Sequence, residues 1–271
     1  MAQNHSFTEI RSGCLLYMAA PNIGAPHAFT TRFGGVSPGI YASLNLKTSQ
    51  GDPPENVSAN YGAICGALGI SPSDLVMPNQ VHGSTVRLVT SVDRGTLLDG
   101  PRHDADGLIT AERGTALGIL VADCAPILLY DPVSGAVGAV HAGWRSTAAD
   151  IAGAAVSKMA LELGCSPPDI RAAIGPCISL CCFETGADVA EAMFSLFAAP
   201  RERERVSLRR GDKYHIDLKA ANALLLERAG LRAENISASD ECTRCTDGKY
   251  WSHRASSWRR GSQGAIIVAG Y

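Results

Sequence analysis

The sequence has no apolar run near the ~20 residues that a membrane-spanning helix requires. Its opening, MAQNHSFTEIRSG, carries no apolar core behind a basic flank. Neither a membrane span nor a secretory leader is expected. Charge of either sign is not in excess: 24 Lys and Arg face 26 Asp and Glu, a formal charge of −2 at pH 7. That balance gives no global electrostatic case for nucleic acid or an anionic membrane as partner, and leaves only a local basic patch open. Nucleotide-binding signatures are missing, both GxGxxG and GxxxxGK followed by Ser or Thr, so neither dinucleotide nor P-loop binding is indicated. Histidine is sparse: seven residues, all isolated, with no HxH pair. Multicopper oxidation needs roughly ten His and Cys ligands in such pairs, and ligand count argues against it. No repeat, low-complexity segment or long linker interrupts the chain.

Cysteine is not scarce. There are nine, an odd number that does not form a small secreted framework. The expectation is reduced thiols and a cytoplasmic protein. At 271 residues and 46% apolar content the chain can bury a full core. Strand-like and helix-like segments mingle along its length, which makes α+β in a single domain over 1–271 the default fold class.

The chain is organised around residues 117–146. Two apolar runs, Leu117–Ala122 and Ile127–Tyr130, flank Asp123-Cys124, and a third, Ala136–Val140, follows a turn signal and leads into His141-Ala-Gly-Trp-Arg145. These runs are short and rich in Val, Ile and Leu, and read as buried strands of a hairpin. Strands are also expected over Gly13–Ala19, Thr85–Val89, Leu108–Thr110, Ile170–Ile174, Ile236–Ala238 and Ala265–Ala269. Helical spacing predicts helices over 54–69, 147–163, 183–198 and from about 215 to 228. The charged stretch 201–213 reads as a solvated loop.

Three donors stand out. His82, Cys124 and His141 each follow an apolar stretch and sit beside a small residue or a loop. Three N/S ligands with a fourth position open is the pattern of catalytic zinc (Zn2+), where the metal activates water or polarises an oxygen. The same residues also fit a nucleophile pair, Cys124 with His141 as base, and a lone Cys after an apolar run is commonly an inert core residue. Cys242-Thr-Arg-Cys245 can clip a metal if His253 or the cluster Cys177, Cys181 and Cys182 adds ligands; plain free thiols are the simpler reading. Arg32 in a Gly-rich loop, Arg145 after His141 and Arg254 after His253 are candidates for phosphate or carboxylate, because the guanidinium fork donates bidentately.

Taken in order, Asn79-Gln80-Val81-His82-Gly83, Asp104-Ala105-Asp106-Gly107, Ala122-Asp123-Cys124-Ala125-Pro126, His141-Ala142-Gly143-Trp144-Arg145, Ile174-Gly175-Pro176-Cys177-Ile178 and Cys242-Thr243 form a recognisable set. The earlier Thr31-Arg32-Phe33-Gly34-Gly35 and Ser43-Leu44-Asn45-Leu46 belong with it. The chain resembles the polyphenol oxidase/laccase-domain family, also called YfiH-like or peptidoglycan editing factor, over roughly residues 25–270. The resemblance implies a layered α-β-β-α sandwich and a zinc site formed by His82, Cys124 and His141. It implies phosphorolysis of adenosine, inosine, guanosine and methylthioadenosine, deamination of adenosine, and a role in peptidoglycan quality control. Purine nucleosides and phosphate are then the expected partners. Asp123, beside a ligand, is a candidate orienting or acid/base group; Asp106 and Glu184 are weaker ones. Two features depart from the family pattern: Ser146 follows His141–Arg145 where Gly is usual, and Ser252-His253-Arg254 is followed by Ala255, with Arg259 and Arg260 as the candidates for the later Arg. A metal-independent Cys–His hydrolase and a non-catalytic metabolite-binding protein are the rival readings. Monomer and homodimer are both compatible with the sequence.

Overall fold

The computed structural model describes residues 6–95, 97, 103–256 and 259–270. The first five residues of the stretch read for a leader lie outside them. One six-stranded sheet runs in the order β1 (Thr8–Ser12), β2 (Leu15–Ala19), β3 (His27–Thr30), β15 (Gln263–Val268), β7 (Ala116–Val121), β4 (Leu75–Val76). A second runs β14 (Ile236–Ala238), β10 (Arg171–Ile174), β8 (Ala125–Tyr130), β9 (Val137–Ala142), β6 (Gly107–Thr110), β5 (Val86–Leu88). A three-stranded sheet, β11 (Glu184–Thr185), β13 (Lys213–Ile216), β12 (Ser207–Arg210), lies apart from both.

Side-chain alternation assigns the layers. Leu117, Ile119 and Val121 of β7 face the same core as Leu128 and Tyr130 of β8 and Val137 and Ala139 of β9. This is the space between the two large sheets, since successive strand residues point to opposite faces. On the outer face of the first sheet, helix α1 (Pro54–Ala67) buries Val57, Tyr61, Ile64 and Cys65 against Ala116, Ile266 and Val268. On the outer face of the second, α3 (Ile151–Leu163) and α6 (Leu218–Arg228) pack Ile151, Val156, Met159, Leu224 and Leu225 on Ile127, Leu129 and Val140. Helix, sheet, sheet, helix is the layering that the family resemblance implies. Each fully buried aliphatic side chain contributes roughly 1.5–3 kcal/mol, so three continuous cores hold the two sheets in register.

The three apolar runs of 117–142 are all strands, but they do not form one hairpin. β8 and β9 pair antiparallel from Ala125↔Ala142 to Tyr130↔Val137. β7 belongs to the other sheet, between β15 and β4. The chain therefore crosses between sheets at Ala122-Asp123-Cys124. Apolar content alone cannot tell a strand that pairs with its neighbour from one that crosses to another layer.

The predicted helix over 147–163 divides into α2 (Trp144–Ala148) and α3. Asp150 breaks it, adopting φ 52° and accepting the Gly153 N–H at 3.0 Å as the cap of α3. The helix expected from 183 begins at Ala187 as α4 (Ala187–Leu196), because Glu184 and Thr185 pair with β13. The stretch 201–213 is not a loop: α5 (Pro200–Val206) precedes a hairpin of β12 and β13 that turns at Gly211 with φ 59°. Among its charged residues Val206 is fully buried, as is Ile216 at the end of β13. A last short helix, α7 (His253–Ser256), precedes β15. Among the described residues no helix is long and apolar enough to cross a membrane.

Candidate active site

The crossover from β7 to β8 sets Cys124. Asp123 takes φ 90°, a left-handed conformation that costs a residue with a Cβ about 1 kcal/mol or more. Its carboxylate holds it there. Oδ1 accepts from Thr243 Oγ1 at 2.6 Å, and Oδ2 accepts from Ser252 Oγ at 3.0 Å and the Arg254 N–H at 2.7 Å. Asp123 thus ties the crossover to the C-terminal segment, and its lone pairs are committed to three donors.

His141 sits in β9 opposite Pro126 and shares its face with Val137 and Ala139, at the rim of the space between the sheets. Its Nδ1 lies 2.8 Å from Asp106 Oδ1, and its backbone N–H donates to the Asp106 carbonyl at 2.7 Å. Asp106 is fully buried. Its carboxylate also accepts the backbone N–H groups of Val81 (3.2 Å), His82 (3.0 Å) and Gly83 (2.7 Å). Burial opposes the charge on Asp106, but the His141 ring and these N–H groups outweigh burial and hold the carboxyl below its usual range. An ionised carboxylate only accepts, so His141 donates from Nδ1, and Nε2 is the ring nitrogen it can offer to a metal. One side chain therefore fixes the ring of His141 and the loop that presents His82. That loop holds His82 at φ 59°, a second left-handed residue beside the same point.

The ligand atoms of His82, Cys124 and His141 all lie within 4.8 Å of one another. The two rings meet edge to face, centroids 4.8 Å apart and 72° between planes. Burial raises the Cys124 thiol, but the charge and hydrogen bond of His141 and the hydrogen bond of His82 reverse this and bring it down to about 6. Burial likewise disfavours the His141 cation, yet Cys124 and then Asp106 push it up to about 9. The site therefore stabilises a thiolate among imidazoles. One thiolate and two imidazoles, one of them oriented by a carboxylate, is a donor set that fits zinc with an open fourth position.

Gly143 keeps the space between the donors clear. A Cβ there would stand 3.1 Å from His82 Nδ1 and 3.2 Å from Cys124 Sγ, although the backbone φ of −70° suits any residue. Gly143→Ala is expected to leave the fold intact and weaken metal binding by about tenfold, by pushing two ligands apart. Metal competition with a chromogenic chelator checks this; unchanged affinity would show that the donors give way freely.

The three donors line a cleft of about 780 Å³. Asp123, Arg145 and Arg254 line it too. Arg145 stacks on the Trp144 ring at 4.2 Å, and Arg254 donates to the Glu184 carbonyl at 2.9 Å. Arg32 lies elsewhere. Its guanidinium stacks 4.1 Å from the Trp251 ring and donates twice to the Ala42 carbonyl, at 3.0 and 2.7 Å, so it braces the Gly-rich loop. Glu184 is exposed on β11 and does not line the cleft.

Two cations in the wall were not on the list of candidates drawn from the residues alone. Lys47 and Arg260 both line the cleft. Burial and then the Arg260 charge pull the Lys47 ammonium below its usual range, so the two are neighbours. Arg260 Nη1 donates to the Gly261 carbonyl at 2.9 Å and Ser262 Oγ at 3.2 Å, while its buried Nε has no partner in the protein. Of Arg259 and Arg260, the two candidates for the later Arg, Arg260 lines the cleft and Arg259 does not. Lys47 directly follows the matched Ser43–Leu46, but a single lysine after an irregular stretch carries no local signal.

The sequence profile of the family described as multi-copper polyphenol oxidoreductase laccase matches residues 26–270. The chain belongs to this family. Its relatives carry other activities in their names. A purine nucleoside phosphorylase of Deinococcus radiodurans is 40% identical over 92% of this chain and 91% of its own length. The purine nucleoside phosphorylase YlmD of Geobacillus stearothermophilus is 35% identical over 97% of this chain and 95% of its own. The crystal structure of that protein superposes with a TM-score of 0.90, covering 98% of this chain and 99% of the other. Adenosine deaminase RL5, from an unknown prokaryotic organism, is 36% identical over 87% of this chain and 90% of its own. The copper in the family's description finds little support in seven isolated histidines, of which His27 and His215 bond backbone groups away from the cleft.

Proposed function

We propose that this protein is a zinc-dependent purine nucleoside phosphorylase that also deaminates adenosine. The observation that carries the reading is the His82–Cys124–His141 donor set on a cleft whose wall holds Lys47, Arg145, Arg254 and Arg260. A cation-lined wall suits phosphate, which phosphorolysis consumes. The relatives named for phosphorolysis and deamination of nucleosides support the same substrate class. Adenosine, inosine, guanosine and methylthioadenosine are the proposed phosphorolysis substrates, and peptidoglycan quality control the proposed pathway role. A cytoplasmic setting is part of the proposal, supported by nine cysteines of which none is joined in a disulfide.

His82, Cys124 and His141 would hold the zinc, which when bound supplies a Lewis acid beside the reacting atoms. In phosphorolysis a phosphate oxygen bonds to the ribose C1′ as the bond from C1′ to the purine nitrogen breaks, and the base leaves with the electron pair. Lys47 and Arg260 hold the phosphate against that carbon and balance its charge, with Arg145 and Arg254 on the same wall. The plane of the base finds apolar surface on Met77 and Leu120, which also line the cleft. In deamination water replaces ammonia at C6 of adenine, with no need of phosphate. Asp123 serves by positioning, because three donors occupy its carboxylate.

The two reactions can be told apart at Arg260. Arg260→Ala removes a charge-assisted contact of about 1.5–3 kcal/mol. The KM for phosphate is expected to rise roughly 10–100-fold in phosphorolysis. Deamination of adenosine without phosphate is expected to change much less. Equal losses in both reactions would remove Arg260 from the phosphate site. The rival thiol hydrolase uses the same Cys124 and His141 and predicts full activity in protein that contains no metal.

A further inference from the structure

A second group of donors converges behind the wall of the cleft. Cys181 and Cys182 lie between β10 and β11, and Cys242 and Cys245 between β14 and α7. Their four Sγ atoms all lie within 4.8 Å of one another. Cys181 Sγ is 3.6 Å from Cys182 Sγ and 3.7 Å from Cys245 Sγ. Four thiolates around a tetrahedral zinc at about 2.3 Å each stand about 3.8 Å apart. The sulfurs are therefore spaced as ligands of a common ion, and none is joined to another.

Two polar contacts reach these sulfurs from outside the group. The Ser179 N–H donates to Cys242 Sγ at 3.4 Å. Arg244 Nη1 lies 3.8 Å from Cys182 Sγ and brings a compensating positive charge. Two residues that the sequence offers as extra ligands are not part of the group. Cys177 is fully buried with its thiol directed to the Ile178 carbonyl, and His253 lines the cleft.

We infer that Cys181, Cys182, Cys242 and Cys245 form a structural zinc site, separate from the His82–Cys124–His141 set. Four protein thiolates leave no open position, so the ion clamps the fold and takes no substrate. What it clamps is the outer support of the active cleft. The two loops already touch through a bridge between Cys177 and Cys242 and the Thr243 N–H to the Cys177 carbonyl at 3.1 Å. The same segments carry Thr243 and Arg254, whose hydrogen bonds fix Asp123 beside Cys124. The sulfurs of Cys181 and Cys245 belong to exposed residues, which leaves the clamp open to oxidants and chelators.

Metal content separates the two sites without reference to activity. Protein prepared without chelator is loaded with zinc or cobalt, and the metal is counted by mass spectrometry under native conditions. Cys124→Ala, which disables only the mixed site, is expected to keep one ion per chain. Its cobalt form is expected to show the strong thiolate-to-cobalt absorption of a four-thiolate site. Cys245→Ser, at an exposed position, is expected to lower the wild-type count by one ion whether or not the mixed site is filled. The inference is overturned if Cys124→Ala binds no metal while its cysteines are alkylated as free thiols or found as disulfides. It is also overturned if Cys245→Ser leaves the count of the otherwise native chain unchanged.

Discussion

Cys124→Ala is expected to lose both phosphorolysis and deamination of adenosine by about 10³-fold or more, equivalent to ~4 kcal/mol of barrier. The same variant should hold less metal, because it lacks the only anionic donor of the three proposed ligands. The structural cost is expected to be small. Cys124 is only partly buried and packs at the edge of the inter-sheet core. The crossover that presents it is held by Asp123 through three hydrogen bonds that the substitution leaves in place. Loss of activity with the unfolding midpoint nearly unchanged would assign the effect to chemistry. Undiminished adenine, inosine or hypoxanthine production by Cys124→Ala would remove the donor set from the reaction.

Asp106→Asn should act through metal and stability together. The substitution keeps the volume and removes the charge. Oδ1 accepts from His82 N–H and His141 Nδ1, and Oδ2 from Val81 and Gly83 N–H. Whichever oxygen becomes the amide nitrogen then points a donor at donors, in a fully buried site. The expected cost is about 3 kcal/mol of folding stability. Zinc affinity should fall about 10–100-fold, the range seen when a carboxylate orienting a ligating imidazole is removed. Denaturant unfolding and metal competition measure the two effects. A variant with lower kcat but native metal affinity would make Asp106 a reacting group and not the support of two ligands.

Much of this architecture is legible in the sequence, and the parts that are not have definite causes. Apolar runs ending at Tyr130 and Val140 announce β8 and β9, and the spacing of Val57, Tyr61 and Ile64 announces α1. Local pattern does not reveal that β7 joins the other sheet, because a short run with five of its six residues buried looks the same in either layer. It does not reveal β12 and β13, which expose Leu208, Arg209, Arg210 and Lys213 and bury only His215 and Ile216. At the site, the donors are visible as isolated His and Cys at strand ends. Their convergence depends on Asp106, which gathers residues 81–83 and 141 across the chain. Nothing in the local sequence around Asp106 distinguishes it from Asp104, which bonds Asn79 at the surface. The cations show the same division. Arg145 is marked by its place after His141. Arg32 has an equally suggestive Gly-rich loop and is spent on the carbonyl of Ala42.

The most direct test follows ribose 1-phosphate formed from adenosine and phosphate as metal is stripped from the wild-type protein with a chelator and then restored with zinc. Turnover is expected to fall with the metal and to return with it. Metal-free protein that still converts adenosine at the full rate would contradict the proposal and favour catalysis by the Cys124 thiolate alone.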